Sequence, residues 1–537
     1  MTTNDIPRAR LLPAMLGLVC ILNANGLWAE PSAQTSAEWK NLRQQAINRP
    51  RRIIFNNDGN EPVYFCKSVG KDQLLGPRTR DLAGTQVDSI FYCTWSSGFS
   101  LFTHRTQAGQ VFSTREGCFS NNLAQAFLEQ GVDPLQVMVE FGHKRGIEVF
   151  WSMRMNDTHD GSLTAYGPVM FRANRLKVQH PEYLVGSATQ RPRYGAWSAV
   201  DYGLPQVRDL AFAFCEEICR NYDVDGIELD FFRHAFFFQC SADNRACGAA
   251  ELDAMTALME RIRSMTEEIG RRRGRPILVA IRVPDSVDYC RFIGLDLEKW
   301  LGKGLTDLLI VTGYTQLNPW DYSAKLGHQY GVKVYPSLDE PRLRDPEAQA
   351  ARASVQAYRG RALQAWAAGM DGIYMFNFFD PKSPLWRELG DPEALRKLDR
   401  TYFLSVRGTG SMYVPHQNFI RVPVLNPASP IPLPPGKAVE LPVSLGEGGK
   451  PAQPALLRLR FKNLEKPDLV RVRWNRKTLE IKPPQMGAWV EYSIPAGWVE
   501  SQNNTLELSM SPEGERQVAL ADLSITLGRS GTSKGGE

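Results

Sequence analysis

Glu228 and Asp230 stand two residues apart in NYDVDGIELDFFRHAFFF (221–238), among Val, Ile, Leu and a run of Phe. Burying carboxylates in such company is unfavourable unless cations or hydrogen-bond donors offset the charge. The pair therefore points to a task such as proton transfer, nucleophilic attack or ligand binding. Read as a strand, the stretch puts Ile227, Leu229 and Phe231 on one face and Glu228, Asp230 and Phe232 on the other. The two carboxylates then lie about 6.6 Å apart along the strand, with Asp230 nearer its end. Arg154 in VFWSMRM and Arg282 in ILVAIRVP fall at matching places in neighbouring apolar runs, where they can flank the acids. A glutamate deep in such a strand is commonly a structural member of an ion-pair layer, so Asp230 carries the stronger functional expectation.

The elements that must position these residues are legible over residues 51–405. Eight short β-branched or aromatic runs recur: 53–57, 89–95, 149–155, 226–232, 277–283, 308–314, 332–338 and 373–379. Amphipathic helical patterns separate them, among them LPQVRDLAFAFCEEICRNY and ELDAMTALMERIRSMTEEIG. Strand and helix alternating in this way predict an α/β fold, a (β/α)8 TIM barrel, with an open doubly wound sheet as the alternative. A barrel of this kind carries its site at the C-terminal ends of the strands.

Those ends are polar. Strand one ends in NNDG (Asn56, Asn57, Asp58), strand three in RMNDTHDG (Asn156, Asp157, His159, Asp160), strand seven in SLDE (Asp339, Glu340) and strand eight in FNFFD (Asn377, Asp380). Trp95, Tyr314, Trp320, Phe232 and Phe236 sit nearby in sequence as candidate stacking surfaces for sugar rings. Asp157 and His159 also suggest a cation, although His and carboxylates within five loop residues more often bond their own backbone. No resident metal or cofactor is expected.

The rest of the chain sets the context. It has 537 residues, 43% hydrophobic, with a net charge of +5 and scattered Lys and Arg, which gives no basic stripe for nucleic acid. Residues 1–29 read as a signal peptide: Arg8 and Arg10, the apolar run LLPAMLGLVCIL, then small residues. That run is too short for a comfortable membrane span, so a secreted or periplasmic protein without stable membrane insertion is expected. Residues 30–50 read as an N-terminal linker. Cys240 and Cys247 bracket a polar loop and make the best candidate disulfide, while Cys215 and Cys219, one helical turn apart, read as small buried hydrophobes. Residues 406–437 form a Pro-rich linker, and 438–528 alternate apolar and polar residues without helical period, as in LRLRF and VRVRW, predicting a C-terminal all-β sandwich. Residues 529–537 read as a disordered tail.

NYDVDGIELDFFRH resembles the fourth-strand motif of the glycoside hydrolase-like 10 family, roughly YDVDGIxxDxY, and YGAWSAVDYGLPQVRDL is similar to that family's preceding segment. The resemblance covers residues 50–400. It implies a (β/α)8 fold acting on glycosidic bonds of a polysaccharide or peptidoglycan-type glycan. The stretch also looks like the chitinase-type DGxDxDxE, but Phe232 stands where that acid belongs. It looks like the α-amylase-type DGFRxDxxxH, which aligns Asp230 with the nucleophile, but Glu228 replaces its Arg. Glycoside cleavage ordinarily uses two carboxyls. Asp230 is the first; Asp339 and Glu340 lead for the second, with Glu228 and Asp157 behind. Arg154, Asn156, Asp157, His159, Arg282, Trp95, Tyr314 and Asn377 are the expected substrate-binding residues. Two other readings stay open: a carbohydrate-binding barrel without turnover, and a metal-dependent barrel hydrolase working through Asp157 and His159.

Overall fold

The computed structural model describes residues 36–406, 417–481, 489–511 and 517–528. The expected signal peptide and tail lie outside the described residues. Each of the eight apolar runs forms a strand: β1 Ile53–Asn57, β2 Val87–Tyr92, β3 Glu148–Arg154, β4 Gly226–Asp230, β5 Leu278–Val283, β6 Leu308–Val311, β7 Lys333–Leu338 and β8 Ile373–Met375. They pair in parallel in chain order, and β8 returns to β1, so the sheet closes and the open doubly wound alternative falls. Several strands stop earlier than the apolar runs suggest. Past the ends of β2, β6 and β8, Thr94, Thr312 and Asn377 take positive φ values of 45°, 65° and 52°, which turns the chain out of the ladder.

Alternation sorts the side chains as the period of two requires. Ile227, Leu229 and Phe231 join the core beneath α2 (Pro205–Asn221) and α3 (Ala249–Arg273), while Phe232 packs with Phe91, Phe150, Ile310, Tyr374 and Phe376 inside the barrel. Gly226 opens β4 because a Cβ there would run into the Phe150 ring and the Leu278 carbonyl.

The interior is polar at three levels. At the bottom, Glu148 takes a bidentate ion pair from Arg51 (2.7 and 2.9 Å) and a hydrogen bond from Ser89 (2.7 Å). Glu228 occupies the middle and Asp230 the top. The expected N-terminal linker is largely a helix, α1 (Ser36–Asn48), whose Ile47 joins the interior cluster and whose Arg43 bonds Asp307 at 2.8 Å. Ala46 and Ile47 pack on that cluster and Trp39 packs on α3 at Gly270 and Arg271, so the helix is part of the fold.

The C-terminal sandwich has two antiparallel sheets. One contains β9 (Arg400–Phe403), β11 (Ala455–Lys462), β13 (Trp489–Ile494) and β15 (Ala519–Leu527); the other contains β10 (Ala438–Ser444), β12 (Val470–Trp474) and β14 (Asn503–Met510). β9 falls in the segment assigned from sequence to the barrel, yet it pairs with β15, from Arg400↔Leu527 to Phe403↔Ser524. Ile431–Pro432, in the Pro-rich linker, pairs with β15 as well. The sandwich thus begins about forty residues before its alternating pattern becomes obvious.

Contacts with the barrel are close. Buried Arg352 of α4 (Pro346–Ala353) pairs bidentately with buried Asp522 of β15 (2.6 and 2.9 Å). Trp489 donates to Glu347, and Gln364 of α5 (Val355–Ala367) donates to the Ser444 carbonyl. Trp474 is core.

Cys215 and Cys219 are buried in the core, as their spacing suggests. The expected disulfide is absent: Cys240 and Cys247 meet, but their Sγ atoms are 2.7 Å apart, beyond the ~2.05 Å of an S–S bond. No helix among the described residues is long and apolar enough to cross a membrane.

Candidate active site at the barrel mouth

Asp230 crowns β4 with its side chain turned into the barrel. Register places it beside Arg154 of β3 and Arg282 of β5. Only Arg282 takes it: Nε donates to Oδ1 at 3.0 Å and Nη2 to Oδ2. The backbone amides of Phe232 (3.0 Å) and Arg233 (2.9 Å) also donate to Oδ1. The Arg282 guanidinium lies 3.9 Å from the centroid of the Phe376 ring, and the pair is almost wholly out of water. Asp230 is 2% exposed.

Glu228 sits one layer below. Its Oε2 accepts from Ser152 and from Tyr374 (3.1 Å), and its Oε1 is buried without a hydrogen-bond partner. Burial, opposed by Arg282 and reinforced by Asp230, pushes its pKa up to about 7. Glu228 is thereby a buried member of the barrel's polar interior. The group gains a proton more readily folded (about 7) than unfolded (4.5), so its contribution to stability is complete below pH 4.5 and is lost as pH rises through 7. Glu228→Gln keeps the Ser152 and Tyr374 partners and removes the titration. Urea unfolding at pH 8 is expected to show the variant more stable than wild type by up to roughly 3 kcal/mol, the difference vanishing near pH 4.5. Equal stability at both pH values would remove Glu228 as the cause.

Arg154 does not flank Asp230, as parity suggests. With Arg282 already on Asp230, its guanidinium swings outward to Asp58 (2.5 Å) and Asp157 (3.3 Å) and to the Trp95 carbonyl (3.2 Å). Asp157 also accepts from the Gly98 and His159 amides and from His159 Nδ1 at 2.7 Å. Burial opposes its ionisation, but His159, Arg154 and His234 together hold it well below the usual carboxylate range. His159 Nε2 faces Arg233 Nη2 at 3.1 Å. A guanidinium only donates, so His159 carries its proton on Nδ1 and gives it to Asp157. Arg233 Nη1 and Asn377 Nδ2 (3.0 Å) both donate to the Tyr314 hydroxyl, which carries the network from β3 to β8.

Other predicted residues fall elsewhere. Asp339 is buried toward α5, where Arg361 lies 3.6 Å from its carboxylate and bonds its carbonyl at 2.8 Å. Glu340 is exposed on the following loop. Asn156 clamps the Val200 and Phe236 backbones. Trp95 is buried against Phe112, with ring centroids 5.6 Å apart, and serves as core.

Asp58, Arg78 and Arg233 also belong to the site, and the sequence signals Asp58 only weakly and the two arginines not at all. Asp58 follows β1 and is the more accessible of the two carboxylates paired with Arg154, with 15% of its side chain exposed against 0% for Asp157. Burial works against its ionisation, but the guanidiniums of Arg154, Arg233 and Arg78 hold its pKa below normal. Only its place at a strand end is readable from sequence; the three arginines come from distant segments.

Ligand atoms of Asp157, His159 and His234 lie within 4.8 Å of one another. Two guanidiniums already bond into the group, Arg154 on Asp157 and Arg233 on His159, and their charge opposes a divalent cation there.

Residues 71–245 match the Glycosyl hydrolase-like 10 family. The matched span holds Arg154, Asp157, His159, Asp230 and Arg233 and omits Asp58 and Arg282. Over 107 residues the chain is 27% identical to "Glycosyl hydrolase YngK" of Bacillus subtilis (strain 168), a span covering 19% of this chain and 18% of that protein. Among solved structures it is similar to the PgaB (BpsB) glycoside hydrolase domain of Bordetella bronchiseptica (11% identity, TM-score 0.39, covering 64% of this chain and 98% of that one). It is also similar to a glycoside hydrolase family 18 N-acetylglucosaminidase of Paenibacillus barengoltzii (12%, 0.36, 64% and 98%). Similarity this distant says nothing of substrate.

Proposed function

We propose that the protein is an exported glycosidase that cleaves glycosidic bonds of a polysaccharide or peptidoglycan-type glycan at the barrel mouth. The observation that carries this is the grouping of Asp58, Asp157 and Asp230 with Arg154, Arg233 and Arg282 at the C-terminal end of a closed barrel, four of which (Arg154, Asp157, Asp230 and Arg233) fall in the glycosyl hydrolase-like family match. Asp58 is the ionised carboxylate that a sugar can approach, suited to act as nucleophile or base. Asp230 is the second carboxyl, presented by β4. Export rests on the basic then apolar leader.

A second reading, a glycan-binding barrel without turnover, is favoured by one observation. Asp230 is fully engaged by Arg282 and two amides, and the acid raised to about 7, Glu228, is out of reach of solvent. A glycan panel scored for both binding and reducing ends separates the two. The hydrolase reading expects Asp58→Asn and Asp230→Asn to lower turnover by about 10²–10⁴-fold while binding persists. Wild-type binding without cleavage favours the second reading. Turnover lost to chelator and restored by a divalent ion favours metal chemistry.

A further inference from the structure

Four of the five aromatics expected as sugar platforms turn inward, Trp95, Phe232, Phe236 and Tyr314 being buried, while Trp320 is half-buried against the core. Two other rings face solvent beside the mouth, Tyr64 (41% exposed) and Phe65 (45%). They end the short helix Glu61–Tyr64 that follows Asp58. The Tyr64 ring meets Trp95 edge-on at 5.3 Å and stands nearly perpendicular to Phe65 at 6.4 Å. Arg78 fixes the arrangement. Its guanidinium lies 4.6 Å from the Phe65 centroid and 3.8 Å from that of Phe379 beyond β8, and its Nη1 donates to Asn60 at 2.7 Å. Trp95, on which Tyr64 packs, accepts through its carbonyl from Arg154, so the rings adjoin the carboxylate group.

Each of these large rings leaves over two fifths of its surface to water while its other side is packed. Here Phe65 is held against the Arg78 guanidinium and Tyr64 against Trp95. That is an amphipathic face of one-sugar dimensions: ring faces for the C–H side of a pyranose, a guanidinium for its hydroxyl rim. We infer that Tyr64, Phe65 and Arg78 form an accessory subsite that stacks a further sugar ring of a glycan chain entering the mouth. This rests on the carbohydrate reading of the mouth.

The test is titration calorimetry of the full chain with chito-, cello- and malto-oligosaccharides of two to eight units, for wild type and the Tyr64→Ala/Phe65→Ala variant. Both side chains are exposed, so the variant is expected to melt within a degree or two of wild type. Wild-type affinity should rise with chain length in at least one series. The variant should bind the shortest ligand of that series normally and the longest about tenfold more weakly. Equal affinities at every length overturn the subsite, as does wild type that binds no oligosaccharide, whether or not the rings then prove to hold a second copy of the chain. Length-dependent binding lost in the variant, with no reducing ends released by wild type, leaves the subsite standing and removes the hydrolase instead.

Discussion

Arg282→Met is expected to lower stability by about 3–5 kcal/mol, because it strands Asp230 as an uncompensated charge in a dry layer. The Arg282–Asp230 pair is bidentate, nearly inaccessible to solvent and packed on Phe376. Loss of its cation leaves Asp230 with two backbone amides and no counter-charge, since Arg154 is committed to Asp58 and Asp157. Urea unfolding at pH 7 checks the figure. Adding Asp230→Leu to Arg282→Met should recover most of the loss, because replacing both partners of a buried pair with apolar groups is often neutral. A single-variant loss under about 1 kcal/mol would mean that water screens the pair as it does at a surface. Turnover should vanish in both variants, which separates what the pair does for folding from what Asp230 does for chemistry.

A chain ending at residue 437 is expected to be insoluble or to melt without a cooperative transition. It would delete β10–β15 and leave β9 without its partner strand. It would also leave Arg352 buried in α4 without Asp522, and bare the α5 backbone where Gly446 packs against Leu363. The point variant Asp522→Asn should by itself cost about 3 kcal/mol or more, the penalty of a buried cation left unpaired. Full-length protein should show one calorimetric transition. A truncated barrel that stays soluble and melts sharply, with a second independent transition in the full chain, would instead make the sandwich a separable module.

The strength of the sequence reading follows the regularity of the backbone. On β4 the side of every residue was readable, since a ladder reverses direction at each step, and Phe232 inside with Phe231 outside follows from the same rule. The Arg282 partnership came from parity as well, because β5 runs in register beside β4. Arg154 shows the limit. Its backbone lies opposite Asp230, yet a side chain that long chooses among several carboxylates, and Arg282 had already filled the near one. Asp339 shows another: Leu338 is the last residue of its ladder, and one step later the carboxylate turns to Arg361. β9 was missed because four residues are too few to show alternation.

By itself, the order of residues determined the barrel, the all-β region after it and the inward aim of Glu228 and Asp230. Period, composition and strand spacing are local properties that survive without knowledge of neighbours. The tertiary structure decided which charges pair and which rings stay in water. It brought Asp58 to Arg154 across 96 positions of chain, Arg352 to Asp522 across 170, and left Tyr64 and Phe65 uncovered beside the mouth. Partner choice among buried charges depends on distance and desolvation, which exist only once the chain has closed on itself.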